Sequence, residues 1–97
     1  MLYQKLKISA KVLRKLIEKH RVSRNEVREC FYNRKRDFLE DTRSEHLTEP
    51  PTLWFIARAN NGRLLKVVFI KHNDGTFEIK TAYEPNLNEV KIYEKYA

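Results

Sequence analysis

From Thr52 to Tyr83 the chain reads TLWFIARA, then Asn60-Asn61-Gly62, then RLLKVVFIKH, then Asn73-Asp74-Gly75, then TFEIKTAY. These are three apolar runs rich in β-branched and aromatic residues, separated by two turn signals. Asn-Gly and Asp-Gly tolerate the positive φ that two-residue hairpin turns demand, so the stretch predicts a three-stranded antiparallel meander. Its middle strand, Arg63 to Lys71, is expected to be the most buried, because Leu64-Leu65 and Val67 to Ile70 are apolar on both faces. In the third run Phe77, Ile79 and Thr81 alternate with Glu78, Lys80 and Ala82. The Phe77 and Ile79 side is expected to face the core.

Working outward toward the N-terminus, Lys5 to Ile8 predicts a short edge strand. Ser9 is a good N-cap for a helix to about His20, with Val12, Leu13, Leu16 and Ile17 as its apolar stripe. Lys11, Arg14, Lys15 and Lys19 fall largely off that stripe. Ser23 followed by Glu26 is a capping-box pattern. It starts a second helix through about Asn33, with Val27, Cys30 and Phe31 inside. Phe38 to Glu40 predicts a further short strand, and Asp41 to Pro51 a long loop. Beyond the meander, Asn86 caps a last helix carrying Leu87, Val90, Tyr93 and Tyr96. The expected fold is α+β: two N-terminal helices on an antiparallel meander of three to five strands, then a short C-terminal helix.

The chain has 97 residues, enough for one domain spanning 1–97 and one modest core. It is 41% hydrophobic and 34% charged, so it is expected to fold. No run approaches the roughly 18 apolar residues of a membrane span. The N-terminus carries no apolar signal core, and the single Cys30 fits a reducing compartment, so the expected setting is cytoplasmic. Residues 1–36 hold twelve Lys/Arg against three Glu, and residues 37–97 hold eight against ten Asp/Glu. A basic third on a near-neutral remainder is a footprint for a polyanion or an acidic protein. The plainer reading is a solvated helix surface.

Three groups of residues suggest chemistry. Glu40 to His46 gathers acids, Arg43 and His46 at the start of the long loop. A histidine trades protons near neutral pH and an arginine stabilises phosphate charge, although a polar loop with local turn bonds reads the same way. His46 lacks a second histidine at ligand spacing, so no metal is expected. Arg58, Arg63, Lys66 and Lys80, with Tyr83 at the strand end, suit a phosphate backbone and a stacked base. The competing reading is ordinary cross-strand pairing with Glu78 or Glu84. His20 and Arg21 end the first helix, where a histidine caps carbonyls. Cys30 and Trp54 read as core. With two glycines the chain has no phosphate-cradling loop, and no cofactor is implied.

The series Glu18-Lys19-His20, Val22-Ser23, Asp41-Thr42-Arg43, Trp54 to Ala57, Gly62 to Phe69 and Ile79 to Tyr83 resembles the BrnT branch of the RelE-like toxins of bacterial toxin–antitoxin systems. The resemblance covers most of residues 5–93 as a pattern. It implies a compact RelE-like α+β domain, a ribonuclease acting on cellular RNA, and an antitoxin that covers the active surface. It places Arg43, Arg63, Lys80 and Tyr83 near the site. The chain departs at the last strand, where the family more often has Ala-Arg and this sequence has Ala82-Tyr83. Similar short proteins are also labelled ADP-ribosyl-(dinitrogen reductase) hydrolases, an activity whose known fold is much larger and uses an acidic metal cluster.

The expectation is therefore a metal-independent endoribonuclease toxin. Arg63, Lys66 and Lys80 would hold phosphate, His46 or Glu84 would move a proton, and Tyr83 would stack a base or donate a proton. Arg58, Lys11, Arg14 and Lys15 would hold RNA. The expected partners are RNA and an acidic antitoxin, as a hetero-oligomer or a homodimer, with no membrane. The alternative is a non-catalytic binding module: an immunity or antitoxin-like protein, or a nucleic-acid-binding regulator that works through the basic helices alone.

Overall fold

The computed structural model describes residues 5–42 and 49–97. Its elements are β1 (Leu6–Lys7), α1 (Ala10–His20), α2 (Arg24–Asn33), β2 (Leu39–Glu40), β3 (Thr52–Arg58), β4 (Leu64–Lys71), β5 (Phe77–Tyr83) and α3 (Leu87–Tyr96). The sheet order is β1-β5-β4-β3-β2. The expected α+β architecture holds, with one change. β1 pairs parallel to β5, which makes the sheet mixed, while the other three pairings are antiparallel.

Helix boundaries follow their caps. The Ser9 side chain accepts from the Val12 N–H, and α1 stops at Arg21, whose φ of 55° is left-handed. Ser23 and Glu26 close a reciprocal capping box, as do Asn86 and Glu89 on α3.

The hairpins differ from expectation. Each loop has three residues, and only the glycine in third place takes positive φ, 89° at both Gly62 and Gly75. Ala59 N–H donates to Arg63 C=O around one loop, and His72 N–H to Thr76 C=O around the other. Asn61 and Asp74 contribute as acceptors: their side-chain oxygens take the N–H of Arg63 (3.0 Å) and Thr76 (2.8 Å). An Asx turn thus orients each loop and leaves positive φ to the residue that adopts it without a Cβ penalty.

Helices α1 and α2 cover one face of the sheet, α1 over β5 and α2 over β3. Phe31 is the hub of that side. Its ring meets Phe55 at 4.7 Å, Phe69 at 5.2 Å and Phe77 at 5.4 Å between centroids. Leu16, Val22, Val27 and Cys30 fill the remaining space and are fully buried. Ile17, expected in the stripe of α1, is 52% exposed. It sits on the far edge of a helix that turns only one narrow ridge inward.

Helix α3 covers the opposite face, with Tyr93 against Trp54 at 5.7 Å. The third strand breaks strict alternation. Val68 faces Thr81 but Phe69 faces Ile79, so Lys80 has no partner residue of its own across the ladder. This β-bulge reverses inside and outside for the strand's end. Ala82, expected outside, is fully buried, and Tyr83 lies beside Lys66 on the α3 face.

Candidate functional site

The register sets Lys66 opposite both Ile56 and Tyr83, on the sheet face that α3 covers. Only 7% of Lys66 is exposed. A buried ammonium is costly unless it is paired, and here it is paired three ways. Its Nζ donates to Glu89 Oε2 at 2.8 Å, lies 4.5 Å from the Trp54 ring centroid and 5.7 Å from that of Tyr83. The Tyr83 hydroxyl donates to the same Glu89 oxygen at 2.7 Å. The other carboxylate oxygen of Glu89 accepts the Asn86 N–H at 2.9 Å. Burial alone would raise the Glu89 carboxyl, but the Lys66 ammonium, the Asn86 amide and the Tyr83 hydroxyl outweigh it and hold the pKa below its ordinary value.

Tyr83 also joins this cluster to the end of α1. Its ring lies 5.6 Å from that of His20. Burial, then the charges of Lys19 and Lys15, hold the His20 imidazole below its ordinary pKa of 6.5, so it is neutral at pH 7. The histidine is half-buried at the last turn of the helix that bears Lys11, Arg14 and Lys15, all three exposed.

Arg63 stands at the same end of the sheet. Its guanidinium donates to the C=O groups of His20 (2.7 Å) and Arg21, and it pairs with Glu26 at 3.5 Å and Glu84 at 3.6 Å. It thereby satisfies carbonyls that the end of α1 would otherwise leave without donors. Glu26 also accepts from the Asn61 side chain at 3.2 Å. Burial would raise the Glu26 carboxyl, but the Ser23 N–H, Asn61 and Arg63 keep it below its ordinary value.

Of the residues proposed from sequence, Arg63, Lys66, Tyr83 and Glu84 come together. Lys80 does not join them: it sits at the bulge, exposed, 3.9 Å from Glu78. Arg58 turns to the hairpin, where it donates to Gly62 C=O at 2.7 Å. Arg43 and His46 lie outside the described residues. Among the described residues no cluster of three His, Cys, Asp or Glu could hold a metal, and no helix is long and apolar enough to cross a membrane. Burial pushes the Cys30 thiol up to about 12, which fits a core residue.

Sequence reasoning missed Glu89 and underweighted His20. The Asn86-to-Glu89 spacing marks a capping box, but nothing in it signals that the same carboxylate reaches Lys66 and Tyr83. Beside them an open groove of about 610 Å³ runs between β2, β3 and α3, bordered by Trp54, Lys66, Asp41, Glu40, Glu89 and Tyr96.

No known protein family, curated protein or solved structure matches this chain.

Proposed function

We propose that the protein is a metal-independent endoribonuclease of the toxin kind, resembling the BrnT branch of RelE-like toxins, acting in the cytoplasm and restrained by an acidic antitoxin. The observation that carries this reading is the contact of a neutral His20 with Tyr83, beside Lys66 and Arg63 and at the foot of an exposed basic helix. RNA supplies its own nucleophile. His20 takes the proton of a 2′-hydroxyl, whose oxygen attacks the adjacent phosphorus. The bond to the 5′-oxygen breaks, leaving a 2′,3′-cyclic phosphate, and the departing oxygen takes a proton from Tyr83, which regains one from solvent. Lys66 and Arg63 offset the added negative charge on phosphorus. Lys11, Arg14 and Lys15 hold the flanking phosphates.

The test is cleavage of a defined RNA oligonucleotide by the purified protein in excess chelator. Wild type is expected to yield cyclic-phosphate ends. His20→Ala and Tyr83→Phe are expected to lose activity by about 10²-fold or more while remaining folded. Activity requires neutral His20, so it is expected to persist at and somewhat below pH 6.5 and to fall only in more acid solution. A folded wild type that binds the RNA and leaves it intact would overturn the reading.

One observation favours a second reading. Both Lys66 and Arg63 are already paired with carboxylates, an arrangement that also serves structure alone. In that case the protein is a non-catalytic binding module and the basic face of α1 carries its function.

A further inference from the structure

Helix α3 separates two grooves of opposite character. On the flank of Asn88, Glu89 and Ile92 the groove beside Lys66 is bordered by Glu40, Asp41 and Glu89. On the flank of Val90 and Glu94 lies a second open groove of about 620 Å³, bordered by Lys35, Arg36 and Arg58, with Glu94 as its one acid among the described residues. Its floor is apolar, formed by Ile56, Leu64, Val90 and Tyr93. The volume falls within the roughly 300–1,000 Å³ of small-ligand sites.

The cations here differ from Lys66 and Arg63. No side-chain carboxylate among the described residues lies within ion-pair distance of Lys35, Arg36 or Arg58. The two arginines are instead oriented by main-chain oxygens. Arg58 donates to Gly62 C=O at 2.7 Å, and Arg36 donates to the oxygens of Glu94 at 3.0 Å and Ala97 at 3.4 Å. Such tethers fix a guanidinium in place and leave it donors for an incoming anion.

We propose that this groove binds a nucleoside phosphate unit. The phosphate sits between Lys35 and Arg58 with Arg36 behind it, and the base lies against Ile56, Leu64 and Val90. A flat apolar ring joined to a charged phosphate matches an apolar floor with a basic rim. The chemistry is the same whether the unit is a free nucleotide or one residue of an RNA strand, and the site stands whether or not the protein cleaves RNA.

The test is nuclear magnetic resonance titration of the full chain, following the methyl signals of Ile56, Leu64 and Val90 and the ring signals of Trp54 and Tyr83. The probes are adenosine 5′-monophosphate, adenosine, and a six-residue oligoadenylate. Shifts at those methyls with the monophosphate, at least about tenfold tighter than with adenosine, are expected. Tighter binding of the oligonucleotide assigns the groove to a strand, and equal binding assigns it to a free nucleotide. Lys35→Glu/Arg58→Glu is expected to weaken binding by about tenfold or more, and Arg58→Lys to restore part of it, with thermal unfolding within a few degrees of wild type in both. The double variant also leaves His20 and Tyr83 untouched, so RNA cleavage measured beside it separates failure of this site from failure of the catalytic reading. Equal affinity for adenosine and its monophosphate, shifts confined to Trp54 and Tyr83, or no binding at millimolar probe would overturn the proposal.

Discussion

On one side of the sheet, Phe31 of α2 packs among the phenylalanines of the strands, and among the described residues no buried charged side chain lies at their centre. On the other side, Trp54 and Tyr93 share the contact with Lys66, Tyr83 and Glu89. Apolar packing is forgiving of direction, so α1 and α2 are held by area and shape. The α3 side is held by a few directional bonds that fail together when one partner goes. The first side secures a fold. The second fixes the orientation of charged and aromatic groups, as a site that must hold a reactant requires.

Four measurements would sharpen or break this contrast. Phe31→Ala should have the largest effect, about 3–5 kcal/mol lost by urea unfolding, because four aromatic neighbours lose their partner at once. Lys66→Met should cost less, about 1–3 kcal/mol, by leaving the partly exposed Glu89 without its ammonium donor. Adding Glu89→Gln should recover part of that loss; strict additivity in the double-mutant cycle would mean that the two groups are not coupled.

Acid is the third probe. Glu26 and Glu89 both have pKa values held below the ordinary 4.5 in the folded protein, so their contribution is present above pH 4.5 and lost as pH falls through the folded values. Stability measured from pH 6 downward should therefore decline below about 4.5, and less steeply in Glu89→Gln. The smallest stability effect belongs to Lys11→Ala/Arg14→Ala/Lys15→Ala, within about 0.5 kcal/mol because all three side chains are exposed. Under the ribonuclease proposal the same variant should lower the salt dependence of RNA binding by about two logarithmic units per decade of salt, at roughly 0.7 per phosphate contact.

The apolar side was largely legible in the sequence. Val27, Cys30 and Phe31 at helical spacing and the Ser9, Ser23 and Asn86 caps are local signals, and each appears where it was read. The site was only half legible. Lys66 and Tyr83 were found as a cation and an aromatic on neighbouring strands, but the bulge at Lys80 that brings them level has no local mark. Arg63 looked like a phosphate ligand as one of a set of cations on the meander. Its hold on the carbonyls of α1 depends on contacts more than forty residues away in sequence. Glu89 showed its cap and hid its reach across to β4.

The unpartnered position at Lys80 also sets how the last strand responds to a change of length, in a way that no side chain reveals. Exchange the lysine for another residue and the strand keeps its count. Remove the position and the bulge simply closes, because Ile79 and Thr81 already face consecutive residues of β4, so Thr81, Ala82 and Tyr83 keep their sides. A one-residue insertion after Thr81 would instead act as a parity error, turning Ala82 out of the phenylalanine cluster and Tyr83 away from both Lys66 and His20.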